Sequence, residues 1–245
     1  MSEVAYYGRG MIYMRESGAA AALRYIGNVT GLRLNITEQV DELPDRTTGA
    51  GGTYAEVRYI QSIGAELDLA ALDPKNVAIA VLGASSAVSG ASVTDEAGVG
   101  YVGGLIKLAH PGPYTSVVVT GTGGTPTYVA GDDYEVRSGG IFIPAGSSIT
   151  DGTNLLIDYT YQAYDKVQAA IAGSKDYEVV CDLINVANSD KPRRVHLFKL
   201  RLGPAAQQEL IGENFSQMTL AGTVVKDTSK SGAGVSQYYT DEIVA

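Results

Sequence analysis

The sequence predicts an all-β protein with two short helices, in which a small β-sandwich is inserted into a larger β domain. Three observations lead there. Only 18% of the 245 residues are charged while Gly, Thr and Val are frequent, a composition that suits many strands and turns. Several segments alternate apolar and polar residues at period two and end at Gly, Pro, Asn or Asp. The texture of residues 30–83 also returns after residue 163, with a stretch of different character between. The expected division is therefore 1–85, an insert at 86–162, and 163–245 ending in a C-terminal arm.

Taken in order, Tyr6 to Met14 reads as a first strand, and Ala19 to Ile26 runs into a turn at Gly27-Asn28. Thr30 to Gln39 sets Leu32, Leu34 and Ile36 against Arg33, Asn35 and Thr37, a half-buried strand. Glu38 to Thr53 is acidic early and glycine-rich late, which predicts a long surface loop that orders against another subunit. Tyr54 to Leu69 returns to strand. Asp73 then suits an N-cap and Pro74 the first position of a helix ending at Leu82, with Gly83 as its stop. Ala84 to Gly104, small and polar, reads as a domain boundary. Short strands follow at intervals of roughly ten residues to Tyr161, the pattern of an immunoglobulin-like sandwich.

The second half opens on a long hairpin. Tyr177 to Val186 and Arg193 to Leu202 flank an Asn/Ser/Asp/Pro turn. Pro204 to Ile211, closed by Gly212, predicts the second helix, and Met218 to Val225 a last strand. Tyr238-Tyr239 and Ile243-Val244 follow a polar arm, an apolar patch placed to dock onto something.

Chemistry is sparse. The net charge of −9 disfavours holding phosphate backbones, which needs clustered Lys and Arg. The single cysteine, Cys181, sits in a strand and supports neither a disulfide framework nor a thiolate metal site. His110 and His196 read as structural histidines, and no Gly-x-Ser-x-Gly element accompanies them. Asp132-Asp133 with Asp151 fits no EF-hand spacing and reads as turn chemistry. Gly121-x-Gly-Gly lacks the Gly-Lys-Ser/Thr ending of a phosphate loop. No cofactor is expected, and no signal peptide or membrane span, so the sequence reads as cytoplasmic. Lys191, Arg193 and Arg194 at the hairpin turn are either a solvated tip or partners for an acidic loop of a neighbour.

Several motifs together resemble the major tail tube proteins of long-tailed, non-contractile bacteriophages. They are Gly27-Asn28-Val with the Leu32-Leu34-Ile36 strand, the acidic-to-glycine loop, and Leu67 to Gly83. In the second half they are Asn185-x-x-Asn188 with Lys191-Pro192, Lys199 to Ala206, and Leu220-x-Gly222 with Asp227. Tyr128-x-x-Gly-Asp-Asp-Tyr134 to Tyr161 is similar to a module inserted in some of them.

The resemblance implies a non-enzymatic virion protein whose hexameric rings stack into a hollow tube through which DNA passes without sticking. It implies as partners other copies of the chain, a tape measure protein, and tail terminator and distal tail proteins. Lumen-facing carboxylates would be Glu66 and Asp68, then Glu56. The inter-ring loop would use Asp41, Glu42, Asp45, Arg46, Gly49 and Gly51, and inter-subunit contacts Lys191, Arg193, Arg194, Tyr238 and Tyr239. The competing readings are a cell-surface or carbohydrate-binding module, and a hydrolase with an unrecognised carboxylate pair.

Overall fold

The computed structural model describes residues 5–47, 49, 51–213 and 215–244. Strand accounts for 54% and helix for about 4%, which makes the class all-β. In chain order the elements are β1 (Gly8–Glu16), β2 (Arg24–Tyr25), β3 (Val29–Pro44), β4 (Thr53–Leu69), α1 (Pro74–Ala80) and β5 (Ala84–Val88). Then come β6 (Ala91–Gly100), β7 (Leu105–Lys107), β8 (Tyr114–Gly121), β9 (Glu135–Arg137), β10 (Gly140–Phe142), β11 (Thr153–Tyr161) and β12 (Tyr164–Gln168). The last are β13 (Asp176–Asn185), β14 (Lys191–Leu202), β15 (Met218–Val224) and β16 (Tyr239–Ile243). No helix is long and apolar enough to cross a membrane among the described residues.

The chain divides into two compact units, one running to Ser85 and resuming at Val167, the other Ser86–Lys166. The first holds an eight-stranded sheet in the order β2-β1-β13-β14-β15-β4-β3, with β16 also paired to β14. Period-two alternation builds its core. Val179 and Cys181, Leu197, Leu200 and Leu202, Met218 and Leu220, and Ala65, Leu67 and Leu69 all turn to one side and are buried. Burial pushes the Cys181 thiol up to about 12, so it serves as a small apolar core residue.

The one α-helix among the described residues, α1, starts where expected and ends at Ala80, two residues short of the expected Leu82. The Asp73 carboxylate accepts from the amides of Lys75 (2.7 Å) and Asn76 (3.2 Å), the N-cap that the sequence indicates. The left-handed residue at the other end is Leu82 (φ 47°), not Gly83. Gly83 is needed for another reason: a Cβ there would stand 2.0 Å from the Gln168 carbonyl oxygen. Buried Asn76 donates its amide to the carbonyls of Ile26 (2.8 Å) and Ala71 (3.2 Å), which ties α1 to the first strands.

The second helix expected at 204–211 is absent. The described residues of 203–217 carry neither helix nor strand, and the stretch links β14 to β15 through bends. The boundary read at 84–104 does hold the division between the two units, at Ser85 and Ser86, but the stretch is not a linker, because it contains β5 and all of β6. Its Ala, Ser, Gly and Thr residues pair as strands while contributing too little apolar volume to announce them.

The second unit is built from two three-stranded sheets, β6-β11-β8 and β7-β10-β9, over a common core of Val119, Tyr134, Ile141, Ile143, Leu155, Ile157 and Tyr159. The Tyr159 hydroxyl donates to Glu96 at 2.5 Å, and His110 stacks on Tyr161 at 3.7 Å. Asp133 and Asp151 act as turn residues. Asp133 accepts from the Val129 amide (2.8 Å) and from the amide and hydroxyl of Ser148, and Asp151 accepts from the Val102 amide (2.7 Å).

Those donors hold the Asp133 carboxyl below the ordinary value, the Val129 amide contributing most. A carboxyl depressed on folding stabilises fully above its unfolded pKa of about 3.9, and that contribution fades as pH falls through the lower folded value. Asp133→Asn is therefore expected to lower the melting temperature of this unit at pH 7 and to flatten its pH dependence below about pH 4. Calorimetry from pH 2 to 7 checks this, and parallel acid profiles for the two proteins would contradict it.

Candidate functional site

The feature that sets this fold apart is the outer half of the β3–β4 hairpin. β15 pairs with β4 only from Gly64 to Leu69, yet β3 and β4 stay paired out to Pro44 and Thr53. Beyond Thr37 and Ser62 the two strands therefore run on as a ribbon with no third strand, extending about 25 Å at the usual rise per residue. The loop read at 38–53 is thus corrected. Residues 38–44 are strand, and among the described residues only those from Asp45 to Gly52 lie outside the two strands. Glu38, Gln39, Asp41 and Glu42 hide this, since polar residues on both faces leave no alternation to read.

A bulge sets the faces of the ribbon. The register shifts between Thr37 opposite Ser62 and Glu38 opposite Ile60, leaving Gln61 as an extra residue. Opposite residues share a face, so Tyr59, Val57 and Ala55 lie with Gln39, Asp41 and Leu43, and Ile60, Arg58 and Glu56 with Glu38, Val40 and Glu42. Tyr54 (68% exposed), Val57 (63%), Ile60 (60%) and Leu43 (57%) stand in solvent on a structure with no core of its own. On one face Arg58 reaches Glu56 (3.0 Å) and Glu38 (3.7 Å), while Glu42 lies opposite Glu56. One guanidinium thus sits among three carboxylates. On the other face the charge of Asp41 raises the Tyr59 phenol above its ordinary value.

The tip is organised by Asp45. Its amide donates to the Gly52 carbonyl (2.7 Å), and its carboxylate accepts from the amide and hydroxyl of Thr47. Gly51 takes the left-handed conformation (φ 69°) that the turn needs. Arg46 borders a small hollow shared with Leu43, Pro44 and Tyr54. Gly49 lies between residues 48 and 50, which are outside the described residues.

Glu66 and Asp68 occupy the polar face of the main sheet, opposite Leu67 and Leu69, as alternation requires. Arg33 bridges them at 3.8 and 2.8 Å, and Thr219 donates to Asp68 at 2.7 Å. A Cβ at residue 31 would lie 2.6 Å from Asp68 Oδ2, so Gly31 makes room for this cluster. The bulge reverses the phase beyond residue 61 and carries Glu56 to the opposite face. Glu56, expected to share a surface with Glu66 and Asp68, therefore lies on the other face of the strand.

The residues expected to meet another subunit mostly meet this chain's own arm. β16 pairs with β14 from Arg193–Ile243 to Leu197–Tyr239. Arg193 donates from Nε to Asp241 at 2.8 Å and covers the Tyr6 ring, and Arg194 pairs with Glu242. The Tyr238 carbonyl accepts from the Phe198 amide at 3.1 Å, Tyr239 is half-buried, and Lys191 opens β14 opposite Asn185. The backbone of the arm is therefore docked in cis, while the Ile243 (68%) and Val244 (55%) side chains of the apolar patch stay exposed. Asp241→Ala is expected to fray residues 239–243, seen as faster amide exchange there with the melting temperature nearly unchanged, because half-exposed ion pairs contribute about 1 kcal/mol or less. Unchanged exchange across 239–243 would contradict it.

A polar cavity of about 600 Å³ beside β13 and β14 contains His196, Glu178 and Arg15. Glu178 stands 2.9 Å from His196 and 2.6 Å from Arg15. Partial burial works to raise its carboxyl, but Arg15 and His196 outweigh that and hold it below the ordinary range. The Ser229 hydroxyl, also in this cavity, donates to Asp227 at 2.8 Å, so the histidine faces a salt bridge and not a nucleophile. Among the described residues no group of three or more His, Cys, Asp or Glu is placed to hold a metal ion.

Residues 5–241 match the family model described as "Protein of unknown function UCP028589". The chain belongs to that family. No curated protein matches it. Family membership thus fixes the extent of the shared unit, nearly the whole chain including the insert, and leaves its role to the geometry.

Proposed function

We propose that this protein is a structural subunit that polymerises, as stacked hexameric rings, into the tail tube of a non-contractile bacteriophage tail, with the second unit as an immunoglobulin-like decoration. The ribbon is the observation that carries the reading. A lone two-stranded hairpin is marginal in water, and this one carries Leu43, Tyr54, Val57, Tyr59 and Ile60 exposed. Such an element is stabilised when neighbouring copies cover it, and edge strands paired between copies lose their aggregation hazard. The net charge of −9 and the Glu66–Arg33–Asp68 cluster support a conduit surface to which phosphates do not adhere. Glu66 and Asp68 remain the proposed lumen-facing carboxylates. Negative-stain microscopy of the purified full chain is expected to show hollow tubes of uniform diameter. Monomers under all conditions, including seeding with phage tails, would overturn the reading.

A further inference from the structure

Three of the most exposed large apolar side chains lie close together between β14 and β15: Leu210 (80%), Ile211 (96%) and Phe215 (94%). Among the described residues of the first unit nothing covers them, although burying apolar side chains of this size is favourable. Their segment has the local code of a helix, with Pro204 at the first position, Ala205-Ala-Gln-Gln-Glu-Leu-Ile211 after it and Gly212 to stop it. A sequence that encodes one conformation and adopts another is a local conflict, and such conflicts collect at working surfaces. Eight residues are too few to hold a helix in water without packing, which explains why the code is not expressed. In a helix, Ala206, Leu210 and Ile211 would share one face about 140° wide.

The first unit also holds a groove that matches this segment. It is a cavity of about 470 Å³ beside α1, with small apolar walls that include Ala22, Ala78, Ile79 and Leu82. Arg15, Arg24, Lys75 and Lys175 line it; Arg15, Arg24 and Lys175 pair with Glu178, Asp73 and Glu16 of the same chain, which leaves Lys75 as the cation of this rim without an ion pair among the described residues. Pro204 to Phe215 carries Glu209 and Glu213 and neither Lys nor Arg. The match is therefore of an apolar helix face that carries two carboxylates to small apolar walls with Lys75 at the rim.

We propose that residues 204–211 fold into a helix in the groove beside α1 of a second copy of this chain. The same chain holds both halves and leaves Leu210 and Ile211 in solvent, so the groove is filled from a neighbour. The inference rests on the protein assembling with copies of itself, and it adds the contact that the ribbon does not supply.

Cross-linking between two single-cysteine variants tests it. Leu210→Cys and Ala22→Cys change exposed residues, and Cys181 is fully buried, so neither folding nor the native thiol interferes. Mixed under mild oxidation, the two full-length proteins should give a disulfide-linked heterodimer that neither gives alone. Adding Gln208→Pro to the Leu210→Cys chain should weaken this association about a hundredfold, since proline inside a helix costs about 3 kcal/mol, whereas Gln208→Ala should not weaken it. Absence of the heterodimer overturns the proposal. So does a disulfide formed only within a chain carrying both cysteines, which would place the helix in its own groove, and so does indifference to Gln208→Pro. Microscopy of the wild type separates this from the tube reading: tubes without the heterodimer sink the helix alone, and the heterodimer without tubes sinks the tube alone.

Discussion

Replacing residues 39–59 by Asn-Gly is expected to leave the eight-stranded sheet folded and to abolish assembly. Glu38 and Ile60 are directly paired, so a two-residue turn between them closes the hairpin with the geometry that Asn-Gly favours. None of the described residues removed is buried, and the core, whose outermost member on β4 is Ile63, keeps every member. The melting temperature should therefore stay within a few degrees, the usual response to changes away from buried features. Assembly is a different matter. Leu43, Tyr54, Val57 and Tyr59 together could contribute about 8 kcal/mol of gross burial to contacts between copies. Association must first overcome several kcal/mol of lost translational and rotational freedom, so a subunit without them should remain a monomer. Sedimentation and negative-stain microscopy read the result. Tubes of normal appearance from this variant would show that the ribbon is not the assembling element.

What was legible in the sequence followed from how local each signal is. The Asp73-Pro74 start of α1 was legible because an N-cap needs only one carboxylate and two amides within three residues. The β13–β14 hairpin was legible because Val179, Cys181, Val195 and Leu197 alternate over a buried face. The ribbon was not. A strand with no buried face leaves no period, and the acidic run from Glu38 to Glu42 resembles a loop. Glu56 was misplaced for a related reason, because one extra residue at the bulge reverses every side chain beyond it, and nothing in the sequence near Gln61 marks a bulge. The segment at 204–211 failed in the opposite way. Its local code is strong, but a helix this short needs a partner surface that the isolated chain does not provide. Exposed Leu210, Ile211 and Phe215 are the structural trace of that mismatch.

Leu67→Ala should be the most destabilising single change at the root of the ribbon, and it should affect one unit only. Leu67 is fully buried, flanked by Leu32 on β3 and Leu220 on β15 through direct backbone pairing. Truncating a leucine in such a place costs about 2–5 kcal/mol, from lost transfer energy and from the cavity left behind. For a unit of this size each kcal/mol moves the melting temperature by about 2–4 °C, so a fall of roughly 5–15 °C is expected. The two cores share no residue, since one runs from Ile12 to Val224 and the other from Leu108 to Tyr161 without a common member. Changes in separate cores act additively. Calorimetry should then show the transition of the first unit moving down while that of Ser86–Lys166 stays in place, and Ile157→Ala should do the reverse. A single transition that moves by the same amount in both variants would mean that the units melt together, and the two cores would then have to be treated as one cooperative structure.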